Sequence, residues 1–226
     1  MWLVCTQKTG LSAKGLQREA GLGSYQTAWM VLQKLRQATV RLGRERLTGE
    51  IEADEAYLGG EHEGMRGRTL LGKALVAIAV ELNGKKIGRI RLRHVPDASG
   101  ASLVGFIEDC VEKGSLVHTD DWTGYNGVRA AGYRHRVTPV SGDEERALRY
   151  FPHVHLVASL LKRWIGATHQ GSVRKKHLQG YLDEFVFRFN RRRSEHVGKL
   201  FRRLMEQVVL RQARTYKQVT CPAQSN

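Results

Sequence analysis

Asn83-Gly84 is the tightest constraint in this sequence. The pair separates two strand-like segments, the apolar run Ala74-Leu-Val-Ala-Ile-Ala-Val80 and the alternating Lys86-Ile-Gly-Arg-Ile-Arg-Leu92. Asparagine followed by glycine supplies the positive φ of a tight turn, so the two segments are expected to pair as an antiparallel hairpin. Glu50-Ile-Glu-Ala-Asp-Glu-Ala-Tyr57 alternates ahead of them and makes the set a three-stranded meander. Ser99 then stands as the N-cap of a helix with Leu103, Phe106, Ile107, Cys110 and Val111 at helical spacing, closed by Gly114. Residues 115–120 read as a short strand, which a crossover through that helix lays parallel to an earlier one. A short helix over 123–131 and a fifth strand over 133–140 follow.

The remainder reads as helices over about 154–167, 176–190 and 199–210. Three strands, helix, strand, helix, strand and then helix is the order of RNase H-like domains, an order that other mixed α/β folds share. The expected fold class is therefore α/β: an RNase H-like mixed five-stranded sheet with flanking helices, preceded by a small helical segment. In that segment Ser12 and Ser24 stand where helix N-caps would, on either side of Gly21-Leu22-Gly23. Leu16, Ala20, Leu22, Ala28, Trp29 and Leu32 can share one small core. Helix, glycine turn, helix suits a helix-turn-helix module, and equally a hairpin that binds no DNA. The second helix is expected to run on to about Arg46. The division expected is a helix-turn-helix-like DNA-binding segment over 1–47, an RNase H-like catalytic domain over 48–212 and a polar tail over 213–226. Residues 59–72, rich in glycine and charge, read as a mobile loop beside the first strand.

Thirty-seven Lys and Arg against 22 Asp and Glu leave a formal charge of +15, spread through most of the chain. Such a surface concentrates polyanions, which puts nucleic acid first among partners. The longest apolar run is far too short to span a bilayer, so membrane insertion is not expected. Cys5, Cys110 and Cys221 are widely separated, without a C-x-x-C pair, which suits a reducing cytoplasm and indicates neither a disulfide framework nor a cysteine zinc site. Nor does the start of the chain read as a secretory signal.

Asp54 stands near the end of the first strand, in EADEAYLGG, and Asp120 ends the fourth, in LVHTDDWTGY. Carboxylates emerging from neighbouring parallel strands converge at one sheet edge, where hard oxygen ligands can hold Mg²⁺ or Mn²⁺. Taken alone, either aspartate reads equally as an ordinary surface acid at a strand end. Taken together, EADEAYLGG, RIRLRHVPDASGASLVGFIEDCVEKGSLVHTDDWTGY and HLVASLLKRWIGATHQGSVRKKHLQGYLDEFVFRFNRR resemble prokaryotic insertion-sequence transposases of the DDE type. The likeness extends from about residue 11 to residue 210. It implies a metal-dependent enzyme that cleaves DNA and joins the strand ends of an insertion sequence. It also implies Mg²⁺ or Mn²⁺ as cofactor, and double-stranded DNA, both transposon ends and target, as partner of a homodimer or higher oligomer. By this resemblance Asp54 takes the first catalytic and metal-binding place and Asp120 the second. Glu55 and Asp121 lie on the opposite pleat and rank as neighbours.

At the third place, where relatives carry Glu or another polar ligand, this chain has His155. With Ser159 and Lys162 it recurs at i, i+4 and i+7, opposite Leu156, Leu160, Leu161 and Trp164, so the imidazole can face a site. A neutral imidazole suits Mn²⁺ better than Mg²⁺. His155 then reads as a ligand or proton relay, as a decayed position, or as a surface or capping histidine. Glu184 is the rival third carboxylate, or simply balances Arg188 and Arg191 on a helix face. Lys162, Arg163, Lys175, Lys176, Arg188, Arg191 and Arg192, with aromatics between them, read as DNA phosphate contacts or as a solvated face. His118 and His169 read as groups supporting the site or as satisfied structural histidines, and the helix over 197–210 as core or dimer packing. Relatives of this branch carry a zinc ribbon ahead of the helix-turn-helix. Met1 falls almost at that point, so a shortened copy or a mis-called start of a longer transposase is expected. The alternative function is that of a catalytically inactive, truncated copy acting only as a DNA-binding protein.

Overall fold

The computed structural model describes residues 1–7, 9–59, 74–140, 142–169, 173–212 and 214–220. Residues 60–72 of the expected loop lie outside this set. In chain order the elements are α1 (Trp2–Thr6), α2 (Ala13–Glu19), α3 (Tyr25–Ala38), β1 (Glu50–Leu58), β2 (Ala74–Asn83), β3 (Lys86–Val95) and α4 (Gly100–Cys110). There follow β4 (Leu116–Thr119), a 3₁₀ turn (Thr123–Tyr125), β5 (Arg134–Val137), α5 (Glu144–Tyr150), α6 (Pro152–His169), α7 (Lys175–Asn190), α8 (Val197–Val209) and α9 (Tyr216–Thr220). The chain forms two compact units, residues 45–163 and residues 1–44 with 164–226. Among the described residues no helix is long and apolar enough to cross a membrane.

The first of these units is built on a five-stranded sheet of order β3-β2-β1-β4-β5. β1, β2 and β3 form the antiparallel meander, Asn83 pairing with Lys86 across a turn where Gly84 adopts φ 62°. β4 runs parallel to β1, and β5 parallel to β4. This is the RNase H-like topology that the element order implies. β2 lies between β3 and β1 and reads as a continuous apolar run because both its faces are buried. Ile51 and Ala53 of β1 and Leu75, Ala77 and Ala79 of β2 pack with Leu103, Phe106 and Ile107 of α4 and with Tyr125 and Tyr133 in one core. Even-numbered positions of β1 therefore face the opposite side of the sheet.

Two elements of this unit depart from expectation. The helix over 123–131 is a single 3₁₀ turn followed by hydrogen-bonded turns. Gly124 explains part of this: a Cβ there would stand 2.5 Å from the Ala98 carbonyl, which also accepts from Trp122 Nε1. The chain is pressed against the start of α4 and turns too tightly for an α-helix. Helix α5 was not expected, although Asp143 caps it through Arg146 N–H and Glu144 and Glu145 occupy its first turn.

In the second unit Ser12 and Ser24 cap α2 and α3 by accepting from Gly15 N–H and Thr27 N–H, at 3.0 Å each. Leu16, Ala28 and Leu32 enter a core with Val4, Leu11, Leu35 and Leu204, and Leu22 and Trp29 pack on its margin. Ala20 is exposed instead, because it is the C-cap of α2. α3 stops at Ala38, short of Arg46: the Thr39 hydroxyl donates back to the Arg36 carbonyl, and Gly43 takes a left-handed φ of 62°. α9 occupies the stretch 216–220, where Val219 is buried.

Candidate active site

The register of the parallel pair decides where the acids meet. Ile51 lies beside Val117 and Glu52 beside His118. Two positions further on, Asp54 is on β1 and Asp120 directly follows β4, so both emerge at the same end of neighbouring parallel strands, where open α/β sheets bind ligands. Asp54 Oδ1 accepts from the Glu55 N–H at 2.8 Å, and Asp120 Oδ1 from the Trp122 N–H at 3.1 Å. Each aspartate thereby keeps its second oxygen for another partner.

Glu52 shares the pleat face of Asp54 and organises the helix above it. Glu52 is 3% exposed; its Oε2 accepts from the backbone N–H groups of His153 and Val154 at 3.1 Å each, and its Oε1 is 2.6 Å from His153 Nδ1. These N–H groups belong to the first turn of α6, where orphan donors and the helix dipole favour an anion. β1 thus pins the start of α6, and the same turn carries His155 to Asp54, with Nε2 3.9 Å from Oδ2. That nitrogen is buried and has no hydrogen-bond partner.

The electrostatics are those of acids crowded without enough compensation. Burial pushes the Asp54 carboxyl up to about 7, the charges of Glu55, Asp120 and Glu52 add to the effect, and the Glu55 N–H opposes it. Asp120 is raised by burial and by Asp121, against the Trp122 N–H. Glu55 is raised by burial and by Asp120, against the Tyr125 hydroxyl, which donates to it at 2.7 Å. Burial holds the His155 imidazole below its usual range, with Lys162 adding to this and the charges of Glu52 and Glu144 opposing it.

A divalent cation suits this donor set. Two aspartates with spare oxygens, mutual repulsion that a cation would relieve, and an unpartnered buried imidazole nitrogen are the requirements of an oxygen-rich site with one nitrogen. As the side chains stand, no group of three His, Cys, Asp or Glu among the described residues converges on one ion position.

Other acids and histidines have structural partners. Asp121 accepts from Val140 N–H at 3.3 Å, and His118 lies 2.8 Å from the Thr138 hydroxyl with its ring on Phe151. In the helical unit His169 packs edge-on against Trp164 and Tyr181. Glu184 is 1% exposed and holds two guanidiniums there, Arg36 at 2.8 Å and Arg188 at 2.8 Å. Arg188 also donates to the Gln7 carbonyl. Lys162, Arg163 and Lys175 are exposed, as is Lys176, whose ammonium donates to the Thr220 carbonyl. Arg191 and Arg192 lie over Phe187 and Phe189, each 4.1 Å from the ring centre. Glu52, His153 and Tyr125 were not among the site residues expected from the sequence. The first was detectable, since Glu52 alternates in phase with Asp54 and Pro152 marks a helix start.

Residues 46–190 match the ISXO2-like transposase domain. No match is found among curated proteins. Among solved structures the chain is similar to the catalytic core domain of BIV integrase, at 12% identity and a TM-score of 0.44, over 70% of this chain and 97% of that one. It is also similar to a chain of a simian T-cell lymphotropic virus intasome in complex with the PP2A regulatory subunit B56 gamma. There the identity is 11% and the TM-score 0.40, over 73% of this chain and 57% of that one. The family match covers more than half of the sequence and takes in β1, β4 and the start of α6, and by it the chain belongs to the family of DDE transposases with an ISXO2-like transposase domain.

Proposed function

We propose that this protein is a metal-dependent polynucleotidyl transferase that cuts the ends of an insertion sequence and joins them to target DNA, with Asp54, Asp120 and His155 as its catalytic and metal-binding residues. The observation that carries the reading is the approach of His155 Nε2 to Asp54 Oδ2, 3.9 Å across residues a hundred positions apart, on a helix seated by Glu52. Divalent cations, Mg²⁺ or Mn²⁺, supply activation of a water or 3′-hydroxyl and stabilisation of the leaving oxygen. Asp54 and Asp120 bring hard oxygens to one sheet edge. His155 brings an imidazole nitrogen, a donor that suits Mn²⁺ better than Mg²⁺. Glu52 and His153 orient the turn that carries it, and the Tyr125 hydroxyl fixes Glu55 beside the pair.

Double-stranded DNA is the substrate, and the charge of +15 draws it in. Lys162 and Arg163 on α6, Lys175 and Lys176 at the start of α7, and Arg191 and Arg192 at its end serve as phosphate contacts. Arg188 is assigned to the Glu184 ion pair instead. The protein works as a homodimer or higher oligomer on paired ends, in the cytoplasm.

The test is strand transfer with paired element ends in Mg²⁺ and in Mn²⁺. Activity greater in Mn²⁺ and lost in Asp54→Ala and Asp120→Ala is expected; unchanged activity in either variant defeats the assignment. A second reading, a DNA-binding protein with an inactive core, draws on the lack of any three-residue metal cluster among the described residues. Saturable DNA binding without cleavage in either metal selects it.

A further inference from the structure

The helical unit contains a cavity of about 720 Å³, lined by residues of that unit alone. Three cations stand on its wall, Lys14, Arg18 and Arg36, and three rings, Tyr25, Trp29 and Tyr181; no acidic residue occurs among the described lining. The cation that matters most is Arg36. It is 2% exposed, lies 3.8 Å from the Tyr181 ring centre, and donates through Nε to Glu184, yet its Nη1 has no hydrogen-bond partner. Glu184 cannot compensate it fully, because its other oxygen is taken by Nε and Nη2 of Arg188. One carboxylate therefore serves two largely buried guanidiniums, and a buried cation left short of both charge and acceptors is costly. His169, also on the wall, has a buried Nε2 without a partner, and burial pushes its pKa down to about 4, so it adds no positive charge at neutral pH. An anion with several acceptor oxygens is the chemistry that would compensate this wall.

The rings narrow the choice. Tyr25 is exposed over more than half its surface, and Trp29 lies beside it on the wall with one edge on His177. Flat aromatic walls next to cations suit a nucleobase attached to a phosphate, since base stacking is available to any base and phosphate takes forked guanidinium donors. The volume falls within the range of small-ligand sites.

We propose that this cavity binds a nucleoside phosphate, with the phosphate on Arg36, Lys14 and Arg18 and the base against Tyr25 and Trp29. A free nucleotide and the 5′-phosphorylated end of a DNA strand carry the same chemistry. Equilibrium dialysis of the full chain in EDTA tests the proposal. The probes are dAMP, deoxyadenosine, inorganic phosphate, and a short single-stranded oligonucleotide with or without its 5′-phosphate. Saturable binding of dAMP or of the phosphorylated oligonucleotide is expected, at least tenfold tighter than phosphate or nucleoside alone. Tighter dAMP binding assigns the free nucleotide, and tighter oligonucleotide binding assigns the strand end. Binding should weaken about tenfold in a Lys14→Ala, Arg18→Ala double variant and in Tyr25→Ala, all at exposed positions whose melting temperature serves as the folding control. Absence of saturable binding, equal binding of inorganic phosphate, or unchanged affinity in these variants overturns it. No cation is present and no cleavage is read, so the result is independent of the chemistry assigned to Asp54 and Asp120.

Discussion

Replacing Glu52 with alanine tests how the proposed third residue is held in place. Glu52, 3% exposed, accepts from two backbone N–H groups and pairs with His153 Nδ1. Hydrogen bonds to charged groups contribute about 1.5–3 kcal/mol each, and a carboxylate on a helix N-terminus gains up to about 2 kcal/mol. These contributions do not add, because the carboxylate gives up hydration on burial and water can replace it at the His153 ring, whose side chain is 24% exposed. A net loss of about 3 kcal/mol is expected for Glu52→Ala, with two helix N–H groups left unpaired. For a chain of this size that lowers the melting temperature by about 6–12 °C. Glu52→Gln retains an acceptor oxygen and should lose about half as much. Calorimetry of the sheet unit's transition reads the stability. Nicking at a temperature where all variants are folded reads the positioning: in Glu52→Ala the turnover rate should fall at least tenfold, DNA affinity should change less than twofold, and glutamine should restore part of the rate. A melting shift below about 2 °C, or turnover unaffected by alanine, would refute the claim that Glu52 seats α6 and His155.

Three further outcomes are expected. Because the folded-state pKa of Asp54 is raised to about 7, its contribution to stability is fully present below the unfolded value near 4 and is lost as pH rises to 7. Metal-free protein should therefore lose up to about 4 kcal/mol between those pH values, a loss that Asp54→Asn abolishes and that Mn²⁺ reverses in the unmodified protein only; thermal melts across pH check this. His155→Glu replaces a nitrogen donor with hard oxygen and should raise Mg²⁺-supported strand transfer relative to Mn²⁺; an unaltered metal preference counts against His155 as a ligand. Glu184→Ala strips two guanidiniums of their shared carboxylate and should cost about 3–5 kcal/mol, seen as a lower denaturation midpoint of the helical unit, whereas a loss below 1 kcal/mol would mean that water solvates that pair.

Local patterning made much of this protein legible. Asn83-Gly84 sets the hairpin, alternation marks β1 and β3, and Ser12, Ser24 and Ser99 cap the helices they precede, because each effect acts within a few residues along the chain. The motif words pointed to the family that the match over residues 46–190 bears out. Boundaries were less legible: the ends of α3 and the 3₁₀ turn depend on Gly43 and on the approach of Gly124 to the Ala98 carbonyl. Local pattern therefore reaches the succession of the five strands, the serine-capped helices and the family, but not α5 or the 3₁₀ turn. Which charges are spoken for follows from packing. Glu184, a rival ligand on a helical wheel, holds Arg36 and Arg188, and Glu52, unremarked in a strand, holds α6 and His153. The reason is physical. A carboxylate's role depends on its desolvation and on donors brought from distant segments, and both are set by strand register and helix packing rather than by its neighbours in sequence.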